Sequence, residues 1–211
     1  MKRLACCVCV IALLAANQAA ANLFANPSFE DPITYDGPPF LGLWEGFSGG
    51  AGASSATDTT APRTGAKNLT LSITNTNNSF AGVFQDVPVV AGTIYNYTGW
   101  FKTPSNPLDL GVEGRIEWRN SGSNTEVSRT PNLTTAPTSD YTQFLLTATA
   151  PAGADIARVV YAVQTFGPEP TNTGVVYMDD FSIVAVPEPA TAALGAFAGL
   201  ALIASRRRRA A

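Results

Sequence analysis

The chain has 211 residues, 45% of them hydrophobic, and a formal net charge of −3, enough for one domain of ordinary size plus processing segments. Between the two ends, acidic side chains outnumber basic ones. Residues 22–186 hold seven basic and 15 acidic groups, a net charge of −8. This acidic body argues against nucleic acid and anionic lipid head groups as partners.

Residues 1–21 have the three parts of a secretory signal. Lys2 and Arg3 form the charged region, residues 4–16 the apolar region, and residues 19–21 the small-residue cleavage site, so we expect the cut after Ala21. The alternative is a first buried helix. The chain's only cysteines, at positions 6, 7 and 9, lie inside this segment, so the mature protein is expected to have neither a disulfide nor a thiolate nucleophile.

Residues 22–186 have the composition of an all-β protein. Short runs rich in Val, Ile, Tyr, Phe and Thr are separated by Gly, Pro, Asn and Ser, and no stretch has a sustained helical period. Such a pattern predicts a sandwich or a barrel. The segments 31–64 and 121–139 are predicted to be loops. The predicted strands are 23–29, 68–75, 80–89, 93–103, 114–120, 141–148, 157–165 and 175–184.

Alternation in strand 93–103 favours a two-sheet antiparallel sandwich, because one face is apolar and the other polar. Tyr95, Tyr97 and Phe101 share the apolar face, whereas Trp100 lies on the polar face beside Lys102. That is an unusual place for a core tryptophan. The sequence therefore leaves Trp100 as a candidate for an exposed aromatic contact.

Strand 175–184 places a carboxylate on an apolar face. Val175, Tyr177, Asp179, Phe181 and Ile183 alternate along one side, so Asp179 is predicted to point inward near the strand's edge. A buried carboxylate is costly unless it is paired or binds a cation. Histidine is absent from the chain, so any metal site would need oxygen ligands, which favours calcium over zinc.

Four separated motifs, in order, resemble the jelly-roll carbohydrate-binding modules of the galactose-binding-like superfamily. They are NLFANPSFE at 22–30, QDVPVVAGTIY at 85–95, APAGA at 150–154 and VYMDDFSI at 176–183. The resemblance implies a jelly-roll domain over residues 22–185. Relatives in this superfamily bind many different glycans, so the resemblance predicts the fold more specifically than the ligand.

Many such modules hold a structural calcium ion between the first and last strands. The resemblance implies Glu30 and Asp179 as the acidic ligands, with main-chain carbonyls near Ser28 and Lys67 as further ligands. Hard oxygen ligands suit this ion. The alternative is that Glu30 and the Asp179–Asp180 pair are solvated charges at strand ends.

Sugar recognition usually needs an exposed aromatic plane flanked by groups that hydrogen-bond hydroxyls. Trp100 supplies one candidate plane, and Tyr35 and Trp44 in the first long loop supply two more. Arg115 and Glu117 alternate on a charged strand face and could bond the hydroxyls. The alternative is that Trp44 and Trp118 are core residues, which is the interpretation we favour for Trp118.

Catalysis has little support in the sequence. Paired carboxylates could hydrolyse a glycosidic bond, but Gly114 breaks the spacing of Glu113 and Glu117. Asp179 and Asp180 are adjacent on a strand and would point to opposite faces. We therefore predict a protein that is not an enzyme, with a degenerate glycan hydrolase as a remote alternative.

The final segment, residues 186–211, reads VPEPATAALGAFAGLALIASRRRRAA. Its apolar run 190–204 would extend only about 22 Å as a helix, short of the ~30 Å hydrocarbon core, although flanking arginines can snorkel outward. Four arginines after an apolar segment mark a cytoplasmic end, which would leave the body outside the cytoplasm. The predicted transmembrane helix is followed by Arg206, Arg207, Arg208 and Arg209.

This order of features resembles the PEP-CTERM sorting signal of Gram-negative bacteria. The resemblance implies that Pro187, Glu188 and Pro189 are recognised by a membrane-embedded exosortase, which cuts nearby and passes the body to the cell surface. We therefore expect Sec-dependent export, a transient stay in the inner membrane, and binding of an extracellular polysaccharide. The alternative is a structural surface or biofilm-matrix protein that contacts other proteins and binds no sugar.

Overall fold

The computed structural model describes residues 21–74, 78–105, 108–165 and 173–187. Within these residues the chain forms ten strands arranged in two five-stranded sheets. The strands are β1 (Glu45–Gly49), β2 (Ala53–Asp58), β3 (Asn68–Ile73), β4 (Phe80–Pro88), β5 (Ile94–Lys102), β6 (Gly111–Asn120), β7 (Thr125–Arg129), β8 (Thr142–Thr149), β9 (Ile156–Gln164) and β10 (Gly174–Ala185).

The first sheet has the strand order β1-β4-β9-β6-β7, and the second has the order β2-β3-β10-β5-β8. The paired strands run antiparallel. Most strands pair with partners distant in sequence, as in a jelly roll. The predicted fold class, an all-β antiparallel sandwich, is confirmed.

The core lies between the two sheets and is rich in aromatic rings. Phe144 of the second sheet stacks on Tyr161 of the first, with ring centroids 5.6 Å apart. Tyr95 and Trp118 meet across the same interior at 6.2 Å, so Trp118 is a core residue as predicted. The buried face of β5 carries Tyr95, Tyr97 and Phe101, also as predicted.

The segment at 23–29 is not the strand that the sequence predicted. Asn26 and Phe29 have positive φ angles of 46° and 55°, which break an extended conformation. The segment still lies along β10, because Leu23 N–H donates to Ile183 O and Phe181 N–H donates to Pro27 O. Its apolar side chains therefore reach the core from an irregular backbone.

Three strands lie inside segments that the sequence predicted to be loops. β1 and β2 fall within 31–64, and β7 falls within 121–139. Each has only five or six residues, and their sequences, EGFSG, ASSATD and TEVSR, contain few β-branched or apolar residues. All three are edge strands, where partial exposure hides the alternation that marks a buried strand.

Asp179 is buried as predicted, but the predicted single face of strand 175–184 needs correction. Val176 and Met178 are buried in the first half of β10, whereas Phe181 and Ile183 are buried in the second half. The alternation shifts by one residue at Asp179–Asp180, where Asp180 has a φ of 48°. Val175 and Tyr177 therefore do not share the buried face of Phe181 and Ile183. Asp179 is fully buried, and its carboxylate accepts from the main chain of Arg63 and Thr64.

Residues Asn22–Val184 pack as one unit. The predicted signal segment up to residue 20 and most of the predicted tail, including Glu188, Pro189 and Arg206 to Arg209, lie outside the described residues. Both remain predictions. In the part of the chain that the structure describes, no helix has the length and apolarity needed to cross a membrane.

Candidate functional site

The outward face of the first sheet carries two rows of side chains that differ in chemistry. Phe47 on β1 and Phe80 and Phe84 on β4 form one row, which we call the phenyl row. Glu113, Arg115, Glu117 and Arg119 on β6 form the other, which we call the ionic row. Strand β9 lies between them, and the register places Val160 level with both Phe84 and Arg115.

Glycines let two rings of the phenyl row approach the backbone closely. A Cβ atom on Gly82 would come within 2.3 Å of the Phe47 ring, and one on Gly49 within 2.4 Å of the Phe80 ring. The backbone therefore lies directly against the rings of Phe47 and Phe80. Phe80 remains 43% exposed, so this row presents apolar ring surface to solvent.

Arg115 organises the ionic row. Its Nε donates to Glu117 Oε1 at 2.8 Å, and its Nη1 donates to the Glu113 carboxylate. Asn132 Nδ2 also donates to Glu113, at 2.8 Å, and Arg129 Nη1 lies 3.9 Å from Glu117. These contacts fix the carboxylates and the guanidinium in place, so their side chains have little conformational freedom left to lose.

Two further ion pairs lie on this sheet, one beside the phenyl row and one at the sheet's edge. Arg158 pairs with Asp86 through two hydrogen bonds of 2.7 and 2.9 Å, and its guanidinium lies 4.3 Å from the centroid of the Phe84 ring. At the edge of the sheet, the hydrogen bond from Arg129 lowers the pKa of Glu126. The face thus combines apolar rings with charged groups that are already paired.

The predicted ligand residues do not form one site. Arg115 and Glu117 lie in the ionic row, but Trp100 lies on the outward face of the second sheet. Arg63 covers one face of the Trp100 ring, with its guanidinium carbon 3.8 Å from the ring centroid. Arg63 also pairs with Asp180 at 2.5 Å, so this stack is held in place by the chain itself.

Tyr35 lies at a third location, beside the edge strand β2. Its side chain is 53% exposed, and its hydroxyl donates to Ser55 O at 2.5 Å. The ring borders a shallow depression of about 360 Å³ that also includes Asp58 and Lys67. Tyr35 is therefore exposed, as predicted. It lies beside β2 of the second sheet, whereas the ionic row is on β6 of the first sheet.

Trp44 is a core residue, so the interpretation of this side chain as an exposed sugar platform is corrected. It is only 3% exposed, and its ring contacts those of Phe24, Phe29 and Phe181 at 4.8, 5.0 and 5.4 Å. Its indole Nε1 donates to Asn26 O at 3.0 Å. Neither face of the indole is available to a ligand.

The residues predicted to bind calcium are arranged around the segment from Arg63 to Lys67. Glu30 Oε1 accepts hydrogen bonds from the N–H groups of Ala66 and Lys67 at 2.9 and 3.3 Å. Lys67 Nζ donates to Glu30 O at 2.6 Å, so an ammonium group occupies the place beside this carbonyl. A Cβ on Gly65 would lie 1.9 Å from Glu30 Oε1, which explains the glycine there.

Asp179 holds the other end of the same segment. Its Oδ2 accepts from Arg63 N and Thr64 N at 2.8 and 3.1 Å, and its Oδ1 accepts from Asp180 N at 2.8 Å. Ser28 is half-buried and precedes the positive-φ residue Phe29. Among the described residues, no cluster of three or more acidic, histidine or cysteine side chains could hold a metal ion.

This donor set does not fit a calcium ion, because its carboxylate oxygens already accept main-chain N–H groups and an ammonium lies at the carbonyl. We expect calcium added to chelator-treated protein to leave the melting temperature unchanged within about 1 °C. Lys67→Met, which removes the ammonium, is expected to lower the melting temperature by about 2–4 °C, roughly 1 kcal/mol. A calcium-dependent rise in the wild-type melting temperature would restore the predicted metal site.

The phenyl row is the feature that sequence reasoning missed. Its signal was present in FAGVFQDVP, where Phe80, Gly82 and Phe84 alternate on the side opposite Ala81 and Val83. Both sides of this strand are apolar, so the pattern alone did not show which one faces the core. The glycine at position 82, opposite Phe47, was the distinguishing residue.

No protein-family model matches the sequence, and no curated protein matches it. Solved structures do. The enzymatically active domain of bacteriophage CBA120 tailspike protein 4 is 14% identical, with a TM-score of 0.59 over 78% of this chain, although this chain spans only 21% of that one.

Two carbohydrate-binding modules align over nearly their whole length. The CBM22-1 xylan-binding domain from Paenibacillus barcinonensis Xyn10C is 16% identical, with a TM-score of 0.55 over 82% of this chain and 99% of that one. TmCBM61 in complex with β-1,4-galactotriose is 13% identical, with a TM-score of 0.51 over 79% of this chain and 100% of that one. At these identities the likeness shows the fold: a jelly roll of the kind found in carbohydrate-binding modules.

Proposed function

We propose that this protein is an exported, non-catalytic glycan-binding protein that holds a polysaccharide on the outward face of its first sheet. The observation that carries the proposal is the phenyl row, exposed at Phe80, on the same sheet face as the prearranged ionic row in a sandwich with this fold. The apolar C–H face of a pyranose can pack on the rings. Its hydroxyls can then bond the carboxylates and guanidinium groups.

A neutral polysaccharide fits this face better than a polyanionic one. The arginines of the ionic row are paired with carboxylates, and the body between residues 22 and 186 carries a net charge of −8. A polymer with many negative charges would be repelled by that field. The fold neighbours described as a xylan-binding domain and as a galactotriose complex support a sugar ligand of this class.

The non-catalytic part of this proposal is supported by the ion pairs and hydrogen bonds that the candidate catalytic carboxylates already make. Arg115 lies between Glu113 and Glu117 and pairs with both, so its guanidinium fills the space where a scissile bond would need to sit. Asp179 and Asp180 both bond the segment from Arg63 to Lys67. None of these pairs presents two free carboxylates to one opening.

The test is affinity electrophoresis against a panel of neutral and anionic polysaccharides. Phe80→Ala and Arg115→Lys are each expected to weaken binding by about five- to tenfold, since each removes roughly 1 kcal/mol of stacking or bidentate hydrogen bonding. Val90→Ala, a change at another exposed apolar residue, should leave binding unchanged. Binding that survives both test variants but is lost in Trp100→Ala or Tyr35→Ala would contradict the placement on this face.

The same proposal includes export through the Sec machinery and processing by an exosortase at Pro187-Glu188-Pro189. It is supported by the order of the tail features and by the signal-like start. Mass spectrometry of the protein from its native cells should show an N-terminus at Asn22 and a C-terminus that lacks the four arginines. A variant with Glu188→Ala should retain them. Wild-type protein that keeps residues 206–209 would contradict processing.

A further inference from the structure

The four edges of the sandwich are protected to different degrees. Strands β1 and β7 border the first sheet, and β2 and β8 border the second. An uncovered edge exposes unpaired main-chain N–H and C=O groups, so proteins usually shield such strands with charges, covering segments or short lengths. One of the four edges lacks these features.

Three of the edges are shielded. Thr34 crosses β1, since its N–H donates to Trp44 O and its carbonyl accepts from Gly46 N. The same segment reaches β2, where the Tyr35 hydroxyl donates to Ser55 O. β7 has only five residues, and it carries the ion pair between Glu126 and Arg129.

Strand β8 has none of these features. Its eight residues, TQFLLTAT, contain no charge, no proline and no glycine. Within the described ranges, its main-chain pairing is with β5 alone. Phe144 is anchored in the core, while Leu145 on the opposite face is 57% exposed. The strand is long enough to pair with another strand along its free edge.

We propose that β8 pairs antiparallel with β8 of a second copy of this chain, with Leu145 facing Leu145 across a two-fold axis perpendicular to the second sheet. This register places Gln143 opposite Thr147 on the outward face in both directions, so amides and hydroxyls meet each other. It brings no like charges together, because the strand has none. The two second sheets then form one continuous ten-stranded sheet.

A second copy is a better occupant than an unrelated strand because the strand is complementary to itself. The axis through Leu145 pairs an exposed apolar side chain with its own copy and removes both from water. It also preserves the two layers, so both first sheets lie on the same side of the joined sheet. If the proposed glycan site is correct, the dimer presents two binding faces in one direction and binds a polymer with higher avidity.

The experiment measures association and hydrogen exchange on the full chain in a mild detergent. In wild type, we expect the amides of residues 142–149 to exchange at least about tenfold more slowly when the concentration rises from about 1 to about 200 µM. Leu145→Lys places two ammonium groups face to face, and it should abolish that protection and raise the dimer Kd by at least about tenfold. Light scattering gives the mass in parallel.

Leu41→Lys is the matched control, because Leu41 is 55% exposed but lies beside β4 of the other sheet. It should dimerise as wild type does. Exchange of 142–149 that is fast and independent of concentration in wild type would overturn the proposal. So would equal association of wild type and Leu145→Lys, which would indicate contact through another part of the chain. Glycan binding is measured separately, so its loss does not affect this result.

Discussion

Trp44→Ala is expected to lower the free energy of unfolding by about 3–5 kcal/mol, one of the largest effects of any single substitution in this protein. Trp44 contacts the rings of Phe24, Phe29 and Phe181, and it bonds the Asn26 carbonyl. Its removal leaves a cavity where the irregular N-terminal segment joins the second sheet. Chemical denaturation measures the loss directly.

Two variants separate a core role from a ligand role. Trp44→Phe keeps a ring in the cluster but loses the bond to Asn26, so it should lose only about 1–2 kcal/mol. Trp100→Ala, which removes a half-buried ring stacked on Arg63, should lose about 1 kcal/mol. Folded Trp44→Phe should bind glycan as wild type does. A specific loss of binding in that variant, at unchanged stability, would return Trp44 to the ligand site.

The fold could be predicted from the sequence wherever a strand is buried on one face. β5 shows this best, because Tyr95, Tyr97 and Phe101 alternate with polar residues and the structure buries those three. β1, β2 and β7 could not be predicted, since short edge strands obtain their conformation from pairing with a neighbour. The predicted face of β10 failed for another reason, because the positive-φ residue Asp180 interrupts the alternation of buried and exposed residues along the strand.

The candidate site could be predicted only in part. The charged alternation of Arg115 and Glu117 identified the ionic row, because polar residues on one side of a strand indicate a solvent face. The phenyl row is formed by apolar residues on a solvent face, and sequence patterns assign such residues to the core. For Trp44 the error was the opposite one, since a buried ring was predicted to be exposed. Trp44 lies immediately before β1, and its burial depends on Phe24 and Phe29 from a distant segment.

Asp179→Asn is the second change with a large expected effect, a loss of about 2–4 kcal/mol in the free energy of unfolding. Asp179 is fully buried and accepts three main-chain N–H groups, from Arg63, Thr64 and Asp180. An asparagine offers one oxygen in place of two, and its amide group would face N–H donors. Each buried donor left without a partner costs about 1–3 kcal/mol.

The pH dependence of this loss gives an independent check on the role of Asp179. Burial raises the pKa of Asp179 above its ordinary 3.8, although the three N–H bonds oppose the shift. The native state therefore binds this proton at a higher pH than the unfolded state does, so wild type gains stability as the pH falls through the raised pKa. The asparagine cannot titrate, so the difference in the free energy of unfolding between the two proteins should widen in acid.

Asp140→Asn is the matched control, since it removes the same charge from an exposed position and should change stability by less than about 0.5 kcal/mol. If the stability difference between wild type and Asp179→Asn narrows in acid, the N–H bonds outweigh burial in setting the pKa of Asp179. A stability loss no larger than that of Asp140→Asn would mean that Asp179 does not hold the segment from Arg63 to Lys67. In that case the segment from Arg63 to Lys67 would have to be held mainly by Glu30, Lys67 and the Arg63–Asp180 pair.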